Sequence, residues 1–95
     1  MTNYEVMFII DPTLEEAKKE ATIETVQGII AKDGEVVKTD VMGMKKLAYP
    51  IAKHEEGYYV VVEFKAEPTL PYELNRKMKI SDAIIRHMII NQDEL

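Results

Sequence analysis

Few residues in this chain are equipped for chemistry. There is no cysteine, so a thiol nucleophile, a disulfide scaffold, an iron–sulfur site and a zinc knuckle are all excluded. The reactive side chains that remain are one serine, Ser81, and two histidines, His54 and His87. His54-Glu55-Glu56 has metal-ligand residue types, but three neighbours on a polar turn do not converge on one ion, and no other histidine is close in sequence. His87 lies in an otherwise apolar run and reads as a core or rim histidine. Asp11-Pro12-Thr13 follows the first apolar run, where a phosphate cradle would need free amides and a cation. An acid and a proline oppose both requirements. No catalytic residue, metal ligand or cofactor site is expected, so the chain reads as a non-enzyme.

The cations say more. The formal charge is −5, yet it is unevenly spread. Residues 1–37 carry eight acids against three lysines, whereas Lys38, Lys45, Lys46 and Lys53 face only Asp40 in the next stretch. A second basic island holds Arg76, Lys77, Lys79 and Arg86 against Asp82. Contacts within a Debye length of about 8–10 Å respond to the local field, so these islands can meet phosphate if the fold joins them. The net charge alone favours a basic partner.

These residues need a scaffold, and 95 residues suffice for one domain, 1–95. With 46% apolar and 31% charged residues the chain is globular rather than disordered. No secretory signal opens it, and the longest apolar run, Val6 to Ile10, is far short of the roughly 20 residues that span a bilayer. A soluble, cytoplasmic protein without a membrane partner or a small-molecule substrate is expected.

The pattern predicts six elements. Asn3 to Ile10 is a strand with Tyr4, Val6, Phe8 and Ile10 on one face. A helix follows to about Lys32, opened by a capping box from Thr13 to Glu16 or by Asp11 with Pro12. Its apolar stripe includes Leu14, Ala17, Ala21, Val26, Ile29 and Ile30, and Gly34 is suited to the left-handed position after its last turn. Glu35 to about Tyr49 is extended, with a bulge or twist at Gly43, and Pro50 to Gly57 is a polar connection. Tyr58 to Lys65 is a strand whose Tyr58, Val60, Val62 and Phe64 share a face. Pro68-Thr69 opens a second helix with Leu70, Leu74 and Met78 as its core stripe, and Ile84 to Asn91 is the last strand. The order βαββαβ predicts an α+β, ferredoxin-like sandwich: a four-stranded antiparallel sheet with two helices on one face.

The sheet's other face then presents Met7, Ile9, Tyr59 and Val61. With His87 and Ile89 turned inward it adds Arg86, Met88 and Ile90. Covering a patch of a few hundred Å² favours binding by several kcal/mol at roughly 25 cal/mol per Å². Met7, Ile9, Tyr59, Val61, Met88 and Ile90 are therefore the candidate protein-partner interface. Base stacking on this face has only Tyr59 to work with, and Glu5 and Glu63 would repel phosphate.

The segment Gly43-Met44-Lys45-Lys46-Leu47-Ala48-Tyr49-Pro50-Ile51-Ala52-Lys53 resembles the signature of bacterial small-subunit ribosomal protein six, the S-six family: a glycine, a basic pair, Leu-Ala-Tyr-Pro-Ile, then a lysine. Tyr4-Glu5 is similar to the family's first strand, and Asp82-Ala83-Ile84-Ile85-Arg86-His87-Met88 to its last. The resemblance implies a ferredoxin-like structural protein of the small ribosomal subunit, without enzymatic chemistry or metal. It implies pairing with protein S-eighteen and binding to the central domain of small-subunit ribosomal RNA during assembly. Lys45 and Lys46 match the basic pair and Arg86 the last-strand arginine, which assigns all three to phosphate or partner contact. Adjacent strand residues point to opposite faces, so Lys45 and Lys46 cannot share one unless Gly43 perturbs the pleat locally; otherwise one lysine is expected to face RNA and the other the rim. Thr2 and Asn3 stand where members often carry a basic pair, which leaves Asn3 a hydrogen bond to RNA. The lysines stand where arginines are frequent, which loses the bidentate fork. The alternative from the fold alone is a small-molecule-sensing or protein-interaction domain.

Overall fold

The computed structural model describes residues 1–51 and 53–94. Ala52 of the signature segment and Leu95 lie outside the described residues. The elements are β1 (Thr2–Ile10), α1 (Glu16–Asp33), β2 (Gly34–Ile51), β3 (His54–Ala66), α2 (Leu70–Lys79) and β4 (Ile84–Asn91), closed by a 3-10 turn, Gln92–Glu94. The four strands form one antiparallel sheet in the order β2-β3-β1-β4. This is the expected ferredoxin-like α+β sandwich. Among the described residues no helix is long and apolar enough to cross a membrane.

The period-2 pattern of the central strands builds the core. Val6, Phe8 and Ile10 from β1 and Val60, Val62 and Phe64 from β3 are buried against Ile23, Val26 and Ile30 of α1 and Leu70, Leu74 and Met78 of α2. Tyr4 stacks on Phe64 with ring centroids 5.5 Å apart. Each large side chain buried here stabilises the fold by about 1.5–3 kcal/mol. Gln27 Nε2 donates to Thr39 Oγ1 at 2.9 Å and ties α1 to the edge strand β2.

Several boundaries differ from the sequence expectations. Helix α1 starts at Glu16, and the Thr13 capping box does not form. The Asp11 carboxylate accepts from the Thr13 amide at 2.9 Å and the Thr13 hydroxyl at 2.7 Å, so a turn around Pro12 captures the capping residue first. These bonds hold the Asp11 carboxyl below its ordinary pKa, with nearby His54 and Lys19 assisting. Ala17 and Ala21 are exposed, and the buried face of α1 runs instead through Lys19, Ile23, Val26 and Ile30. Lys19 is buried because its Nζ lies 4.8 Å from the centre of the Tyr58 ring.

Gly34 is extended rather than left-handed and leads directly into β2. A Cβ there would lie 2.6 Å from the Lys65 carbonyl oxygen, so close packing on β3 is what the glycine permits. Gly43 does adopt positive φ, +81°, at the register shift between Val41 and Gly43. The expected polar connection from Pro50 to Gly57 is largely strand: β2 continues to Ile51, which pairs with His54. The result is a long hairpin, with 18 residues in β2 against 9 in β1, whose far end runs past the central sheet.

Candidate RNA and partner interface

Directly opposed residues of an antiparallel pair share a face, so the registers sort the exposed groups. Met7 opposes Val61 and Met88, Ile9 opposes Tyr59 and Arg86, and Glu5 opposes Glu63 and Ile90. These rows lie on the side away from the helices, as expected. Met88 is 46% exposed, and Met7, Tyr59, Val61 and Ile90 are half-buried. Ile9 is the correction: at 3% exposed it is not on an open surface. A Cβ on Gly57 would fall well inside van der Waals contact with Ile9 Cγ2, and Leu47, itself 7% exposed, closes over the same point. The hairpin's far end therefore folds back across one end of the outer face. The open part is the row Val61, Met7 and Met88, continued by Ile90.

Arg86 belongs to the covered end. Its Nη1 donates to the Tyr49 hydroxyl at 2.6 Å, and the guanidinium carbon lies 6.0 Å from the Tyr49 ring centre. Tyr49 itself is 58% exposed, so this contact is at the surface. The lysine pair stands on the same hairpin. Lys45 opposes Gly57 on the outer side, and Lys46 opposes Glu56 on the side of the helices; both are exposed. The bulge at Gly43 does not turn the two lysines to one face. At the turn of the hairpin, His54 Nε2 is 3.5 Å from Asp11 Oδ1.

The two basic islands are only partly united. Arg76 and Lys77 lie on α2, across the sheet from Arg86, and share Glu73 at 2.7 and 3.7 Å. The Glu73 carboxyl is held below its ordinary pKa by the Arg76 hydrogen bond. Lys38 pairs with Asp40 at 3.5 Å. Asn3 is at the opposite end of β1, six residues from Ile9, or about 20 Å at strand rise. Its backbone amide and Nδ2 donate to the Asp93 carboxylate at 3.0 and 3.1 Å, which anchors the last turn and lowers the Asp93 pKa.

His87 points inward beside Phe8, and its Nε2 lies 2.6 Å from Asn75 Oδ1 on α2. With that oxygen accepting, the Nε2–H tautomer is required. Burial, with Lys79 nearby, holds the His87 pKa below its ordinary value, so it is a neutral packing residue at pH 7.

Sequence reasoning missed the covering role of Leu47, the Tyr49 partner of Arg86, and the exposed apolar residues Val41, Met42 and Met44 along β2. The length of the 35–49 extended run was the available signal, because a strand that outruns its neighbours must bend over something or stand free.

The architecture is that of a small ferredoxin-like α+β protein with a half-open apolar sheet face and a lysine-bearing hairpin. The family model for ribosomal protein S6 matches residues 3–91, and the chain belongs to that family. It is 48% identical over 90 residues to small ribosomal subunit protein bS6 of Clostridioides difficile (strain 630), covering 95% of this chain and 98% of that one. It is 50% identical over 95 residues to bS6 of Desulforamulus reducens, covering 99% and 100%. The crystal structure of 30S ribosomal protein S6 from Thermotoga maritima superposes with a TM-score of 0.93 at 35% identity, covering 98% of this chain and 89% of that one. The family consists of structural proteins of the small ribosomal subunit, so the protein is a ribosomal component and not an enzyme. The small-molecule-sensing alternative is not favoured.

Proposed function

We propose that this protein joins the central domain of small-subunit ribosomal RNA as one half of a pair with the basic protein S-eighteen. The observation that carries the reading is the open row Val61, Met7 and Met88, continued by Ile90, on a chain of net charge −5. Glu5 and Glu63 sit directly opposite one another on that face. Lys38 stands opposite Glu63 on β2 but pairs with Asp40, which opposes Val61 on the same face, so these outer positions keep more acid than base and favour a basic protein over RNA as the cover. Tyr59 borders the row, and Ile9 supports it from beneath. Lys45 and Lys46, on the hairpin rim, supply the phosphate contacts. Arg86 adds its charge beside Tyr49, and Asn3 contributes at most a hydrogen bond at the far end. In this arrangement RNA affinity arises from the pair, because few cations of this chain face outward together.

Met88→Lys tests the interface, since Met88 is exposed enough for the fold to accept the change. A lysine there sets a like charge against a basic partner and breaks the apolar row, which is expected to weaken pairing at least tenfold, roughly 1.4 kcal/mol or more. Calorimetric titration of S-eighteen into the variant measures this. Unchanged affinity would move the partner off the sheet face.

A further inference from the structure

Arg86 and Tyr49 are 37 residues apart in sequence and come from opposite edges of the sheet's strand order, β4 and β2. Their contact exists only because the hairpin end crosses the outer face. Three observations meet there: the Arg86–Tyr49 hydrogen bond at 2.6 Å, the guanidinium 6.0 Å from the ring centre, and the packing of Leu47 over Ile9 where Gly57 leaves room. The ladder between β2 and β3 is irregular from Lys46 to Ile51, so backbone pairing alone does not hold this stretch in place. Lys45 and Lys46 immediately precede it. The Tyr49 bond takes one guanidinium donor and sets the side chain against the hairpin end, which places Arg86 to fix the segment that carries the lysines.

We propose that Arg86 is a positioning residue: through Tyr49 it latches the hairpin end over the outer face and so presents Lys45 and Lys46 to RNA, rather than binding phosphate itself. The RNA half of this inference rests on the function proposed above; the latch does not. The latch lowers the cost of ordering the hairpin before binding. Its loss therefore reduces affinity by a constant factor at every salt concentration, because the bound state keeps its phosphate contacts. Loss of a direct phosphate contact would instead lower the salt slope by about one.

The test uses the full chain with Arg86→Gln, Tyr49→Phe and the double variant, in two measurements. In the free protein, methyl NMR of Leu47 and Ile9 is expected to shift towards exposed values in Arg86→Gln and less in Tyr49→Phe, which keeps the ring. In the complex with S-eighteen and a central-domain RNA fragment, Arg86→Gln is expected to bind about fivefold more weakly with an unchanged salt slope, and the double variant no more weakly than Arg86→Gln. Unmoved methyl signals would overturn the latch whatever the RNA result. A slope reduced by about one in Arg86→Gln, with additive effects in the double variant, would overturn it in favour of a phosphate contact. Should alanine at Lys45 and Lys46 leave RNA binding intact while the methyl signals move as expected, the latch stands and the lysine assignment falls.

Discussion

Alanine at both Lys45 and Lys46 is expected to weaken binding of the protein pair to ribosomal RNA by about ten- to thirtyfold at 0.15 M salt. The figure follows from counterion release. Two lost phosphate contacts remove roughly 1.4–1.8 from the slope of log affinity against log salt, and that difference vanishes only near 1 M. Both side chains are exposed and neither supports the core, so the fold should keep its stability. Lys45 lies on the outer side and Lys46 on the helix side, opposite Glu56, so the single variants need not share the loss equally. A filter-binding titration at several salt concentrations decides the matter, and a slope equal to wild type would place the phosphate contacts elsewhere.

Gly57→Ala is expected to destabilise the fold by about 1–3 kcal/mol, a large share for a chain of this size. Gly57 is buried, and its added Cβ would press on Ile9, a β-branched residue with little rotamer freedom, with Leu47 Cδ2 only 3.5 Å away. Relief requires the hairpin end to lift from the sheet, which would uncover Ile9 and strain the Tyr49–Arg86 contact. Urea denaturation of the variant measures the cost. A loss under about 0.5 kcal/mol would show that the hairpin end rides loosely over the sheet.

The central layer was legible because its signals are local. Alternation in β1 and β3 and the four-residue recurrence of Leu70, Leu74 and Met78 assign their own faces. Helix α1 was harder. Ala17 and Ala21 are apolar but too small to demand burial, while Lys19 is charged yet lies over Tyr58 with its stem in the core. Pro50 to Gly57 reads as a loop because it is polar, but His54 to Gly57 are strand that extends past the end of β1, where exposed Glu55 and Glu56 are tolerated. Its return over Ile9 depends on Gly57 meeting Leu47 and on Tyr49 meeting Arg86, and neither pairing leaves a periodic trace. The signature segment could thus be recognised from its residues, while the use of its tyrosine could be seen only in three dimensions.

The most direct test of the account is the affinity of the isolated chain for a labelled central-domain RNA fragment, titrated with and without S-eighteen at moderate salt. A chain of net charge −5 with few converging cations is expected to bind weakly alone and far more tightly with its partner. Equal affinities in the two titrations would contradict it.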